Sequence, residues 1–353
     1  MLKEFFNGKR VFITGHTGFK GTWMCMLLKS AGAELTGYAL APPTDPSVFR
    51  LANMEAGMTS VLSDIRDGRA LRAAVQQAQP DIVIHMAAQP LVKESYEDPA
   101  YTYETNVMGT VHILEAVRGA KSVRSFVNVT TDKVYKNNEW AWGYRETDEL
   151  NGHDPYSNSK SCSELVTDSY RKSFFSDRDI AVSTARAGNV IGGGDFAANR
   201  IVPDCARAAM QGREIGVRNP FSIRPYQHVL EPVYAYLEIA RRQFEDAACA
   251  GNYNIGPDQK DCITTGELTT LFCKYWEGAR WRNEAEENAV HEAGCLKLDC
   301  SKAKEALRIA PVWTVEMAIA KTVEWFRRYH DKGNVAALMQ QQIDEYLEKT
   351  EHV

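Results

Sequence analysis

Val11-Phe-Ile-Thr-Gly15-His-Thr-Gly18-Phe-Lys-Gly21 constrains the fold of this chain more than any other stretch. Val11 to Thr14 is a short apolar run of the kind that is buried on both faces of a parallel sheet. Three glycines follow at three-residue spacing. They let the chain turn tightly, let backbone N–H groups approach a pyrophosphate, and let a helix lie close on the strand. Trp23, Met24, Leu27 and Leu28 carry that helix onward, with its positive N-terminal end toward the anion. A second strand, Glu34 to Ala39, follows at the distance a dinucleotide-binding unit requires. Gly15, Thr17, Gly18, Phe19, Lys20 and Gly21 are therefore the candidate cofactor residues of the turn.

One element of that pattern is missing. An Asp or Glu roughly 20 residues beyond the glycines ordinarily binds the adenosine ribose, but Tyr38-Ala39-Leu40-Ala41 offers no acid. No Arg or Lys follows at once to hold a 2′-phosphate, which favours NAD over NADP. Asp64 and Ile65, after a third strand at Thr59 to Leu62, become the candidates for the adenine end. The alternative for Asp64 is a cap on the helix that starts near Asp67.

At 353 residues and 44% apolar composition, the chain holds one large domain, or a large domain with a satellite, around a substantial core. No run approaches the roughly 18 uninterrupted apolar residues of a membrane helix. Met1-Leu2-Lys3-Glu4 leads straight into the first strand, leaving no room for a signal peptide. The eight cysteines are scattered without a CxxC pair, so reduced cytoplasmic thiols fit better than disulfides or a metal site. A net charge of −5 with interspersed signs gives no basic stripe for nucleic acid.

Taken in order, Asp81 to His85 is a fourth strand that ends in Met86-Ala87-Ala88-Gln89-Pro90. Small residues there leave room for a ligand or simply pack tightly. A long helix runs from about Pro99 to Ala120 and carries Asn106. The fifth strand, Ser125 to Val129, gives way to Thr130-Thr131-Asp132-Lys133 at the end where substrate chemistry takes place. Tyr156 and Lys160 follow Asp154-Pro155 and, four apart, share one helix face. An ammonium and a nicotinamide cation beside Tyr156 would lower its pKa from about 10, and Thr131 would complete a group able to take a proton from an alcohol. Ile180 to Ala185 is another strand.

Glycine loops and basic residues alternate after Arg186. The fold class is α/β, a Rossmann-type doubly wound parallel sheet over 1–187, to which a later helix and strand return near 225–255. Residues 188–353 form mainly a smaller, interleaved substrate-binding lobe, whose tail from Asn334 to Glu348 reads as a surface helix. Asn189, Arg200, Arg213, Arg224 and His228 are the candidate substrate residues, because guanidinium forks suit phosphate oxygens.

The glycine turn, the Thr131, Tyr156 and Lys160 set, Asn106 and the closing Tyr253-Asn-Ile-Gly256 together resemble the extended short-chain dehydrogenase/reductase family over nearly the whole chain. Thr131-Asp132 is similar to the nucleotide-sugar 4,6-dehydratases, whose usual sequence here is Thr-Asp-Glu. Lys133 in place of Glu, with Gly15 to Trp23 and Pro42 to Ser47, resembles the branch that acts on CDP-glucose. That resemblance implies an NAD-dependent lyase that supplies a 4-keto-6-deoxy sugar nucleotide for bacterial cell-surface (lipopolysaccharide O-antigen) synthesis. It also implies a cytoplasmic dimer or tetramer, paired through the helices that bear Asn106 and Tyr156. Tyr156 would take the C4 proton, Lys160 would hold ribose and phenolate, and Asp132 would be the acid for the departing C6 hydroxyl. Lys133 would be a desolvated neutral base for the C5 proton, or a cation that stabilises the enolate. A nucleotide-sugar 4-epimerase and a non-catalytic NAD sensor are the rival functions; Asp132 with Lys133 argues against the first and Tyr156 with Lys160 against the second.

Overall fold

The computed structural model describes residues 2–285 and 294–350. The strands of its seven-stranded sheet are β1 (Arg10–Thr14), β2 (Glu34–Ala39), β3 (Thr59–Leu62), β4 (Ile82–His85), β5 (Ser125–Thr131), β6 (Ala181–Ala187) and β7 (Asn252–Ile255). Their spatial order is β3-β2-β1-β4-β5-β6-β7, and every pairing is parallel. This is a Rossmann-type doubly wound sheet. β4, β5 and β6 are buried at every position, so no polar alternation marks them in the sequence. The strand order reverses between β1 and β4, and the crevice outside the carboxyl ends at such a switch is where ligands bind.

Helices cover both faces. α1 (Phe19–Ser30) and α2 (Gly68–Ala78) follow β1 and β3. The helix read as one element over 99–120 is α3, made of Pro99–Tyr103, a wide π turn at Glu104–Met108, and Gly109–Gly119. α4 (Pro155–Tyr170) and α5 (Leu230–Glu245) complete the layers. Phe12, Leu71, Val83, Ile113 and Phe126 pack on one face of the sheet, and Trp23, Leu27, Val127, Tyr236 and Trp325 on the other. The return to the sheet is made by α5 and β7. Ser125 Oγ donates to Ala240 O at 2.9 Å, and β7 pairs with β6 from Asn252↔Thr184 onward.

Both chain ends differ from the sequence reading. Residues Leu2–Phe6 form a short helix before β1, with Phe6 buried. The tail helix α6 (Val335–Thr350) is not a surface helix. It buries Val335, Leu338, Met339, Ile343 and Tyr346, an i, i+3, i+4 stripe that demands a partner, and Tyr346 Oη donates to the buried Glu231 at 2.8 Å. No helix among the described residues is long and apolar enough to cross a membrane.

Candidate active site

The turn after β1 shows why each glycine is needed. Gly15 has φ +81°, and a Cβ there would lie 2.9 Å from Ala87 N; a Cβ on Gly21 would strike Gly15 O. Gly18 differs, because an added Cβ would meet nothing closer than 3.5 Å. The chain's own packing does not demand glycine there, whereas close approach of a pyrophosphate to the loop does. These residues fit a dinucleotide. Gly21→Ala should therefore lower the melting temperature of the cofactor-free protein, at a cost of about 1–3 kcal/mol for overpacking. Gly18→Ala should leave the melting temperature alone and weaken NAD binding in a calorimetric titration. Equal behaviour of the two variants in both measurements would contradict this division.

Thr17 Oγ1 ties the turn to Leu40 O at 2.8 Å. The sequence reading missed His16, which lies on Gly37 so closely that a Cβ there would strike its ring, and whose Nε2 is 2.7 Å from Ser60 Oγ. Burial pushes this imidazole down to about 4, so it braces the turn as a neutral ring. At the adenine end, Asp64 pairs with Arg66 at 2.8 Å, and Tyr38 Oη donates to its carbonyl at 3.0 Å. The cap on α2 is Asp67, which accepts from Arg69 N and Ala70 N, while both carboxylate oxygens of Asp64 accept from Arg66. Ile65 is buried and packs beneath Gly109 of α3.

The loop after β4 is fixed from two sides. Ala87 N donates to Thr14 Oγ1 at 3.1 Å, with Ala88 beside it. Gln89 N donates to Asn106 Oδ1 at 2.8 Å, while Asn106 Nδ2 donates to Gln89 O and to Ser159 Oγ of α4. Asn106 sits in the π turn. The wide turn aims its amide at that loop, a use such turns have at functional sites.

Thr131 ends β5, and Asp132 and Lys133 open a short turn after it. Asp154 caps α4 by accepting from Ser157 N, with Pro155 in the first helical position, a sequence-encoded start that fixes where Tyr156 points. Tyr156 and Lys160 are buried, 9% and 4% exposed. Thr131 Oγ1 donates to Asp132 Oδ1 at 2.9 Å and acts on the Tyr156 phenol, opposing the rise in its pKa, so one hydroxyl bears on both phenol and carboxyl. Lys160 Nζ donates to Val129 O at 3.2 Å.

The electrostatics of the protein's own groups are set first by burial. Burial pushes the Tyr156 phenol up to about 12, with Asp132 adding to the rise and Thr131 and Arg200 opposing it. The protein's own groups therefore hold a neutral phenol and not a phenolate. Burial, helped by the charge of Lys20, brings Lys160 down to about 7 against the pull of Glu164. Asp132 is raised by burial, with Lys133, Thr131 and Arg224 opposing. All three shifts favour uncharged forms, as expected where water is excluded.

Of the second-lobe candidates, Arg200 and Arg224 come to this group. Arg200 pairs with Asp195 at 2.9 Å and its charge acts on Tyr156. Arg224 is 7% exposed and acts on Asp132. Asn189 follows β6, and its carbonyl accepts from Gln227 N at 2.9 Å. Arg213 and His228 are corrections. Arg213 is exposed in a surface turn and bonds Gln211. His228 is wholly enclosed between Trp23 and Trp313, ring centroids 5.7 and 4.8 Å away, and burial takes it down to about 3; it is a core imidazole. The sequence reading also missed Asp195 and Tyr236. Asp195 had a signal, directly after Gly192-Gly-Gly194, while Tyr236 had none beyond its place in an apolar helix.

Residues 12–322 match the family described as GDP-mannose 4,6 dehydratase. A CDP-glucose 4,6-dehydratase of Salmonella typhimurium is 44% identical over 99% of both chains. A dTDP-glucose 4,6-dehydratase of Xanthomonas campestris pv. campestris is 25% identical over 89% of this chain and 92% of its own. Among solved structures, the UDP-glucose 4-epimerase of Stenotrophomonas maltophila, crystallised with NAD and formylated UDP-arabinopyranose, superposes with a TM-score of 0.80 at 22% identity. The match covers 92% of this chain and 100% of that one.

Proposed function

The chain belongs to the GDP-mannose 4,6 dehydratase family, and on that premise we propose that it is an NAD-dependent hydro-lyase that converts CDP-glucose to CDP-4-keto-6-deoxyglucose. The observation that carries the mechanism is the place of the Thr131 hydroxyl, which donates to Asp132 and acts on the Tyr156 phenol. It sets an oxidation group and an elimination group side by side. The 44% identity to a CDP-glucose enzyme supports the nucleotide, and Arg200 and Arg224 suit its phosphates. NAD, which Gly15, Gly18 and Gly21 with Thr17, Phe19, Ala87, Ala88, Gln89 and Lys160 would hold, would supply the oxidant for C4 and the reductant for C6.

The C5 proton of a hexose is not acidic until C4 is a ketone, which fixes the order of steps. Tyr156, in the phenolate form that a nicotinamide cation beside it would favour, takes the C4 hydroxyl proton with Thr131 beside it, and Lys160 holds the ribose. Lys133 then takes the C5 proton. Asp132, whose buried carboxyl favours its protonated form, donates to the departing C6 hydroxyl so that water leaves. Substrate deuterated at C4 should give product carrying deuterium at C6, by mass spectrometry, without added free NAD. Label lost to solvent would end the internal-return mechanism. Incubation with CDP-, dTDP- and GDP-hexoses, watching for the 4-keto product, tests the nucleotide.

The described residues after 187, apart from α5 and β7, form mainly the substrate lobe in this reading. Exposed Met108 on α3 and Leu165 on α4 support pairing of two copies through those helices. Eight unpaired cysteines support a cytoplasmic enzyme, and the product's chemistry suits O-antigen sugar synthesis.

A further inference from the structure

We propose that Lys20 and Tyr236 form a second donor pair in the active site, one that stabilises the enolate made when C5 of the sugar loses its proton. The inference rests on the dehydratase reading above. Lys20 lies in the first turn of α1, at the positive end of the helix, where a cation is unfavourable. It is also half-buried, and faces the like charge of Arg200 and of Lys160. Three costs at one residue mark a position kept for work and not for stability.

The surroundings say what the work is. The Lys20 ammonium lies 5.9 Å from the centre of the Tyr236 ring and within reach of the charges of Asp132 and Asp195. Tyr236, on α5, is wholly buried and is coupled to Tyr156 and Asp132. Its hydroxyl and the Oδ2 of Asp132 have no hydrogen-bond partner among the described residues. Buried polar groups are rarely left unpaired. An ammonium over the Tyr236 ring, an unpaired phenol O–H and an unpaired carboxyl oxygen thus all act within the field of one site, chemistry complementary to a sugar edge with both donors and acceptors.

In the elimination, the C5–H bond breaks and its proton passes to Lys133, while the electron pair moves onto the C4 oxygen. That oxyanion is where fixed donors lower a barrier. As the C4 carbonyl re-forms, the C6–O bond breaks and the Asp132 proton leaves with it as water. With Lys20 as the cation, Lys133 is free to be the base, which decides between the two roles that its sequence position left open.

The test uses Lys20→Met and Tyr236→Phe in the full chain loaded with NAD and given CDP-glucose deuterated at C4 or at C5. Each variant should lose about 10- to 100-fold in turnover, the size of one hydrogen bond to a charged group. Deuterium at C5 should then slow the variants while deuterium at C4 ceases to matter. Melting temperatures and NAD affinity should stay at the parent's values or above. The proposal fails if turnover is unchanged, if the remaining rate is sensitive to deuterium at C4, or if Lys20→Met acts by weakening NAD binding. A parent enzyme with no dehydratase activity would instead overturn the reading beneath it.

Discussion

Asp132→Asn is expected to cut turnover about 10²- to 10⁴-fold, the range of a lost proton-transfer group, with folding intact. The substitution keeps the shape and leaves an oxygen to accept from Thr131 Oγ1, now 2.9 Å from the carboxyl. It removes only the proton that the C6 oxygen needs. Burial raises the Asp132 pKa, so a proton is held at higher pH than by an ordinary carboxyl. The same burial means that the ionised form destabilises the fold as pH rises through the folded-state pKa. The amide never ionises, so at neutral pH the variant should melt at or above the parent's temperature. A steady-state assay of the 4-keto product with parallel thermal melts checks both halves. Unchanged turnover would remove Asp132 from the chemistry, and a lower melting temperature would reduce it to a structural residue.

Lys160→Met should separate activity from stability still more clearly. Turnover should fall by at least as much, because no other residue in the proposed mechanism holds ribose and phenolate together. The cofactor-free protein should nevertheless become more stable. Lys160 is 4% exposed, and burial with Lys20 brings its pKa to about 7, so the unfolded chain binds a proton there that the folded chain releases. Between about pH 7 and the unfolded value near 10.4, stability rises with pH. Below about pH 7 the full cost of burying the ammonium remains. A change of this size corresponds to about 2–4 kcal/mol at pH 7, taken at 1.36 kcal/mol per pKa unit and discounted for relaxation around the site. Lys20, at about 8, has the same sign in both proteins, so the readout is the difference between parent and variant. That difference should be large at pH 7 and shrink toward pH 10. A variant that melts lower than the parent at pH 7 would show that Val129 O and Glu164 stabilise the charged Lys160 more than burial opposes it.

Much of the fold was legible because its signals are local. The Gly15, Gly18 and Gly21 spacing and the strands at Glu34–Ala39 and Thr59–Leu62 all follow from short-range patterns of glycine and apolar runs. The helix face shared by Tyr156 and Lys160 was equally local, fixed by Asp154, Pro155 and the turn of an α-helix. The π turn at Glu104–Met108 was not legible, since one extra residue in a helix leaves no mark on apolar periodicity. The tail helix carried the right stripe at Val335, Leu338, Met339 and Ile343, but a stripe does not name its partner, which here includes Glu231 on α5.

For the site, the sequence alone determined which residues could do chemistry: a glycine turn for a dinucleotide, and a hydroxyl, an acid and an amine at the end of a strand before a Tyr and a Lys on one helix face. Tertiary structure alone decided which charges meet there. Arg200 and Arg224 reach the site while Arg213 and His228 do not, and Lys20 meets Tyr236 across α1 and α5. It also decided protonation, because the shifts of Tyr156, Lys160 and Asp132 come first from burial, which sums over atoms brought together from distant parts of the chain. Periodicity and spacing act over a few residues, whereas desolvation and charge pairing act through space, and only the folded chain defines that space.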